Sequence, residues 1–360
     1  MAYYHSKYSS TKRKRSKFQK FVLYLLFILI LGALGLGYLL YQVIYKPNVW
    51  IKDSETAALY IHSGANFSDV KNMLYSNGMI IHRNNFEWLA KKKEFPTNIK
   101  AGKFILKNGM SNNDLINYLR SGKQEPVKVI FNNIRNIEQL AQRISKQIEA
   151  DSASIANLLS DSGFISNYGV DHYTVTTLFI PNTYNFFWNI DAKGFIDRMY
   201  TEHQRFWNEE RTTKADSIDL SIQEVLTLAS IVEKETQKND EKARLAGVYM
   251  NRLKRGWRLQ ADPTLVFALG DFGIKRVLNE HKEIESLYNT YKYGGLPPGP
   301  ICIPSISSID AVLNYEEHRY LYFCARDDMS GYHAFAKNYI QHKSNAEKYR
   351  KALNKLRIYR

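Results

Sequence analysis

The sequence predicts an α+β protein in three parts: a single N-terminal transmembrane helix, a small strand-helix-helix-strand module, and a larger α+β domain. Three observations predict it. Residues 21–45 carry no formal charge, a run that as a helix would reach about 37 Å against a hydrocarbon core of about 30 Å. Residues 53–124 place two helical patterns between two short strand patterns, and residues 128–360 hold several longer helical patterns flanked by short strands. Domains of these sizes are ordinary.

The first twenty residues contain Lys7, Lys12, Arg13, Lys14, Arg15, Lys17 and Lys20 and no acid, whereas Lys46 and Lys52 beyond the apolar run are balanced by Asp53 and Glu55. By the positive-inside rule, residues 1–20 form a basic cytoplasmic segment and everything after about residue 46 lies outside that membrane. A cleaved signal peptide has an apolar core of about 7 to 15 residues and then a small-residue cleavage site. This run is longer and no such site precedes Lys46, so it reads as an uncleaved, single-pass anchor in the cytoplasmic (inner) membrane. Gly32, Gly35 and Gly37 lie inside the run without the strand-turn-helix context of a dinucleotide site, and read as membrane-helix glycines.

The anchor also qualifies the net charge of +15. Seven of the 50 basic residues stand in the first twenty, which leaves 43 against 35 acids, a net of +8 for the exported part. That surplus attracts anionic wall polymer or lipid headgroups. Export, and the lack of zinc-finger, RNP or helix-turn-helix signatures, argue against nucleic acid as a partner.

In the module, residues 58–62 (Ala58 to His62) read as a strand, 67–76 and 86–93 as helices, and 102–106 as a returning strand, with Ser63-Gly64 and Lys100-Ala101-Gly102 at the turns. A further helix over 111–121 starts at a serine cap with Asp114 three residues on. From Lys128 the larger domain opens on Val129-Ile130-Phe131, followed by helices near 136–149, 154–161, 193–208 and 241–253. Strands at 320–323 and 333–335 and a basic helix over 344–357 close it.

One further helix of this domain carries an acid in an unusual setting. Ser221 followed by Glu224 is a capping box, and Ile222, Val225, Leu226, Leu228, Ala229, Ile231 and Val232 are apolar on nearly every face. Glu233 and Glu235 end that run, about 200° apart round the axis. Both fall on apolar lines, so periodicity does not choose between them. A carboxyl buried there stays protonated near neutral pH, and lifting it from about 4.3 to about 6.5 corresponds to roughly 3 kcal/mol. Such a shift suits a general acid. The plainer reading is a helix end where Glu233 to Thr236 emerge into water.

Downstream stand Val248-Tyr249-Met250-Asn251-Arg252-Leu253, Leu259-Gln260-Ala261-Asp262-Pro263-Thr264, Tyr288-Asn289-Thr290-Tyr291, and Gly294-Gly295-Leu296-Pro297-Pro298-Gly299-Pro300-Ile301. In order and spacing these segments resemble the endolytic murein transglycosylases, the MltG or YceG-like family, from about Phe179 to His333. The resemblance implies a lyase that cuts the β-1,4 bond between MurNAc and GlcNAc inside a peptidoglycan strand without water, leaving a 1,6-anhydro-MurNAc end. It assigns Glu233, the first Glu of V-E-K-E-T, as the catalytic acid. One carboxyl suffices for such chemistry, because the sugar's own C6 hydroxyl replaces the external nucleophile or water that ordinary glycosidases need. The resemblance further implies a LysM-like role for the module, residues 128–360 as the catalytic domain, peptidoglycan strands as substrate and peptidoglycan synthases as partners.

Positive charge develops on the ring in that step, so Asn251, Gln260, Asp262, Tyr288 and Asn289 are candidate substrate-binding residues. Each has a structural reading as well: Asp262 before Pro263 as a turn or helix cap, Asn289 as the cap of a loop. The three prolines of Leu296–Pro300 make that segment a stiff loop, which the resemblance places near the site. Three departures touch the details. The usual E-G-x-L-x-P-D-T-Y reads Thr176-Thr177-Leu178-Phe179-Ile180-Pro181-Asn182-Thr183-Tyr184, the usual N-P-G reads Ile303-Pro304-Ser305, and D-G-x-H-x-F is stretched over Asp327 to Phe335.

Cys302 and Cys324 either pair in an oxidising compartment or are separate thiols in apolar segments. The nine histidines show no metal-ligand spacing, so neither a metal nor a cofactor is expected. A second functional class remains open: a non-catalytic peptidoglycan-binding envelope protein, to which the changes at Thr176, Thr177 and Asn182 lend weight. A muramidase-type hydrolase is the other alternative.

Overall fold

The computed structural model describes residues 17–274 and 276–356. The cationic residues 7–15 and the end of the basic C-terminal helix at Arg357 lie outside them. The chain divides into two compact units, residues 1–125 and 126–360.

The first unit begins with α1, Lys17–Tyr45, the one helix among the described residues that is long and apolar enough to cross a membrane. Behind it come β1 (Thr56–Ile61), α2 (Phe67–Ser76), α3 (Arg83–Lys92), β2 (Gly102–Lys107) and α4 (Asn112–Ser121). Asn66 caps α2 in a capping box with Asp69, and Ser111 caps α4 through the Asp114 amide, so each helix starts where a side chain satisfies its free donors. β1 and β2 pair antiparallel, Thr56 opposite Lys107 and Ile61 opposite Gly102. Leu59, Ile61, Phe104 and Leu106 from the inner face pack on Val70, Leu74, Phe86 and Leu115 to form the core.

The second unit is mostly helical. β3 (Val127–Ile130) leads to α5 (Ile137–Ser145), α6 (Ser152–Ser160) and the short α7 (Ser162–Ile165). β4 (Thr183–Phe186) returns antiparallel to β3, with Val127 opposite Phe186. Then follow α8 (Ala192–Phe206), α9 (Glu209–Ser217), α10 (Ile222–Glu235), α11 (Asn239–Leu253), α12 (Asp262–Leu269) and α13 (Ile306–Leu313). The antiparallel pair β5 (Tyr322–Ala325) and β6 (His333–Ala336) precedes α14, Tyr339–Lys355. One core gathers β3, β4 and α5 to α8 around Phe131, Phe179 and Phe195. A second gathers α10, α11 and α13 around Leu228, Ile231, Tyr249 and Val312. Helix α10 is central to it: every residue from Val225 to Val232 is buried, as an apolar pattern on all faces requires.

Cys302 and Cys324 are separate thiols, the first buried beneath α10 and the second in β5. The Cys302 Sγ lies 3.6 Å from the Ser230 carbonyl, and burial pushes its thiol up to about 12.

Candidate active site

The last turn of α10 presents its two acids to opposite environments. Ser221 caps the helix through the Glu224 amide while Glu224 returns a bond to the Ser221 amide, so α10 starts at a defined residue. Its end is defined as well. Ser230 Oγ accepts the Ile301 amide at 2.9 Å, which ties the proline-rich loop to the helix. That loop also passes close to the backbone near Tyr173: a Cβ on Gly299 would lie 2.1 Å from the Tyr173 carbonyl oxygen. Only glycine leaves room there.

Glu233 is part-buried and sits in a cluster of donors. Its Oε2 accepts bonds from Ser305 Oγ and Ser308 Oγ, each at 2.5 Å, and from Lys242 Nζ at 3.0 Å. Lys242 is itself buried and also donates to Ser305 and Ser307. Burial pulls the Glu233 carboxyl upward, but the two hydroxyls and the ammonium outweigh it and hold the group below its ordinary value. The shift runs against the expectation that burial keeps Glu233 protonated near neutrality: α10 buries the residue, but α11 and α13 supply a charge and donors that favour its carboxylate form.

Glu235 has the character predicted for Glu233. It lines a cleft of about 310 Å³ together with Asp262, Arg135, Lys234, Phe267, Phe272 and Ile301. Burial, reinforced by the negative charge of Asp262, raises its carboxyl to about 7, against the hydrogen bond from Tyr249 and the charge of Arg252, which lower it. Tyr249 Oη donates to Glu235 Oε1 at 2.5 Å. Arg252 is buried, and donates to the carbonyls of Leu321 and Leu259, so its charge is held close to the site by backbone acceptors.

The other sequence-predicted residues separate into two groups. Asp262, the first residue of α12, reaches the cleft, where Tyr291 Oη donates to its Oδ1 at 2.5 Å. Gln260 is exposed beside it on a left-handed backbone, φ 50°, with its amide bonded to the Thr290 carbonyl. A non-glycine residue in that region is strained, and such residues collect at functional sites. Tyr288 is half-buried, its ring 4.7 Å from that of Phe267 on the cleft wall. By contrast, Asn251 spends its amide on the carbonyls of His318 and Tyr320. Asn289 is fully buried and bonds the carbonyls of Lys282 and Ile284. Both organise loops rather than face the cleft. Sequence reasoning did not single out Tyr249, Tyr291 or Arg135: the two tyrosines stand inside segments that carry the family resemblance, but their contacts with Glu235 and Asp262, and the place of Arg135 on the cleft wall, arise from packing of distant segments.

A carboxyl pushed up by burial, beside Asp262 in an open cleft with cations and aromatic rings on its walls, is a candidate acid–base site. A family comparison identifies the framework that carries it. The chain belongs to the YceG-like family, whose model matches residues 59–348. It is 30% identical over 315 residues to the endolytic murein transglycosylase of Bacillus subtilis, covering 83% of this chain and 86% of that protein. It is 29% identical over 342 residues to the endolytic murein transglycosylase of Streptococcus pneumoniae, covering 86% of this chain and 61% of that longer protein. The crystal structure of a YceG-like protein from Listeria monocytogenes is similar with a TM-score of 0.54 and 29% identity, over 81% of this chain and 98% of that one.

Proposed function

We propose that this protein is a membrane-anchored endolytic murein transglycosylase, with α1 in the cytoplasmic membrane and the remainder outside it. It cuts the MurNAc–GlcNAc β-1,4 bond of nascent peptidoglycan and leaves 1,6-anhydro-MurNAc ends, limiting strand length. What supports the reading is the geometry of the cleft, in which the Glu235 carboxyl, hydrogen-bonded by Tyr249 and beside Asp262, is pushed up by burial to about 7. Protonated Glu235 gives its proton to the glycosidic oxygen as the C1–O bond breaks. The resulting carboxylate takes the proton of the C6 hydroxyl as that oxygen closes on C1. Acid and base roles alternate on one group, no water is consumed, and Glu235 ends protonated as it began. Asp262 faces the ring cation that develops between the two steps.

This reading places the acid on Glu235, where the family resemblance pointed to Glu233. What supports it is electrostatic: Lys242, Ser305 and Ser308 favour the carboxylate form of Glu233, whereas burial favours the protonated form of Glu235. Its role is then to fix the last turn of α10 against α11 and α13 and so aim Glu235.

Digesting uncrosslinked glycan strands with the full chain in detergent, and reading the ends by mass spectrometry, tests both points. Glu235→Gln should cut the formation of anhydro ends by about 10²- to 10⁴-fold, the range typical for removal of an acid–base group. Glu233→Gln should slow the reaction by less and keep its products. If Glu233→Gln alone silences a folded enzyme, the acid is Glu233. Hydrated reducing ends would indicate a muramidase-type hydrolase, and intact glycan bound by the protein a non-catalytic role.

A further inference from the structure

The geometry points to a membrane-seated face on the small module: the surface around the exit of α1 docks on the headgroup layer of an anionic phospholipid bilayer, in addition to the helix that spans it. The inference rests on the reading that α1 crosses a membrane.

Helix and module are joined without a flexible linker. Ile44, in the last turn of α1, packs on the module's core, and Asn112 Nδ2 donates to the Val43 carbonyl at 2.8 Å, one of the terminal carbonyls that a helix leaves free. Pro47 bridges to Ser111 and Val49 to Ile80. Buried Asn48 bonds Asn112 Oδ1 at 2.6 Å and holds both the amide and the carbonyl of His82. A module clamped this closely has its height set by the helix.

The residues around that clamp are apolar, aromatic and cationic. Ile81, whose amide bonds the Asn48 carbonyl only three residues past the end of α1, is 53% exposed. Trp50, whose amide bonds the Met79 carbonyl, is 49% exposed. On α3, Asn85 lines a small polar recess with Gln42 and Lys46 of the α1 exit, and Trp88, one turn further along the same face, is 41% exposed. Tyr41 and Tyr45 of α1 are exposed as well. Tryptophan and tyrosine concentrate where hydrocarbon meets headgroups, with their apolar bodies inward. Lys46, Lys52, Arg83, Lys91 and Lys92 stand near them in the sequence, and Glu87, the acid of α3, is already paired with Lys71. An isolated exposed tryptophan needs no explanation. Two tryptophans and an isoleucine gathered at the mouth of a membrane-length helix do, and the bilayer that takes the helix is the surface in reach. The module would then be a fixed base at the membrane, not a tethered domain that searches for glycan.

The test uses the full chain reconstituted in vesicles of phosphatidylglycerol and phosphatidylethanolamine, with lipids brominated either near the headgroup or deep in the acyl chain. Shallow bromines should quench part of the tryptophan emission, and Trp50→Phe with Trp88→Phe should remove most of that quenching while leaving the protein folded. Quenching that is absent, or unchanged by the double variant, overturns the seat. A Leu31→Trp variant separates this failure from failure of the anchor. Deep quenching at position 31 without shallow quenching at 50 and 88 leaves a spanning helix and a module held clear of the lipid; no quenching at position 31 overturns both readings.

Discussion

Two carboxyls two residues apart on one helix are shifted in opposite directions, and the cause lies in what each one meets. Glu233 meets a buried ammonium and two hydroxyls; Glu235 is buried beside a tyrosine, Asp262 and Arg252. Because a general acid works while protonated, kcat/KM should fall as pH rises through about 7. Asp262→Asn removes a charge that raises Glu235, so the limb should move to lower pH. Tyr249→Phe removes a bond that lowers it, so the limb should move to higher pH, and counting anhydro ends across a pH series reads both displacements. A limb that neither variant moves would show that another group titrates. A stability effect accompanies this: the folded Glu235 binds its proton more tightly than the unfolded chain, so stability is full below about 4.5 and is lost as pH rises through about 7. Glu235→Gln, which keeps an acceptor for Tyr249, should therefore raise the thermal midpoint at pH 8 while it abolishes turnover.

Elements with strong local signals lie where the sequence predicted them. Helices α2 and α4 and the helix bearing the two acids have side-chain caps readable in sequence, and their N-termini match those caps. Ser221→Ala should cost about 1 kcal/mol, read as a lowered melting temperature, because an N-terminal donor loses its partner. Other elements were not legible in the sequence. Helix α9 starts at an Asn208 cap but is polar on nearly all sides and buries only Ala215, so it has no apolar stripe to read. Helix α12 opens on Asp262-Pro263, which also reads as a turn, and proline is tolerated there because the first turn needs no donor. Helix α13 and strand β4 owe their place to partners elsewhere: α13 to α10 and α11, and β4 to β3. The junction of α10, α11 and α13 also predicts a cost. Lys242→Met strands a largely buried carboxylate and should destabilise by ~2 to 3 kcal/mol, below the full buried-pair penalty because Glu233 keeps some solvent contact.

At the scale of the molecule, the first unit has one core and the second has two, and one buried histidine of the second should make it sensitive to acid. His203 of α8 is buried with neither ring nitrogen hydrogen-bonded, and burial lowers it to about 4. As pH falls below 6.5 the unfolded chain takes up the proton first, so stability is full above 6.5 and is lost down to about 4. The loss is on the order of 3 kcal/mol at about 1.4 kcal/mol for each pH unit. Thermal unfolding of the full chain in detergent at pH 7.5 and 4.5 should show this loss, and His203→Leu should reduce it; equal losses in both proteins would place the sensitivity elsewhere.

The sequence by itself determined an apolar helix of membrane length, a βααβ layout after it, the capped and buried helix that bears the acids, and the family to which the chain belongs. These follow from periodicity, caps and ordered motifs, all of which are local or read along the chain. Only the tertiary structure decided which acid is shifted up and which down, and that Asp262 reaches the cleft while Asn251 and Asn289 hold backbone. A carboxyl's proton affinity depends on charges and donors within a few ångströms, and here those come from Lys242, Tyr249, Asp262, Ser305 and Ser308, residues brought to α10 by packing and not by sequence neighbourhood.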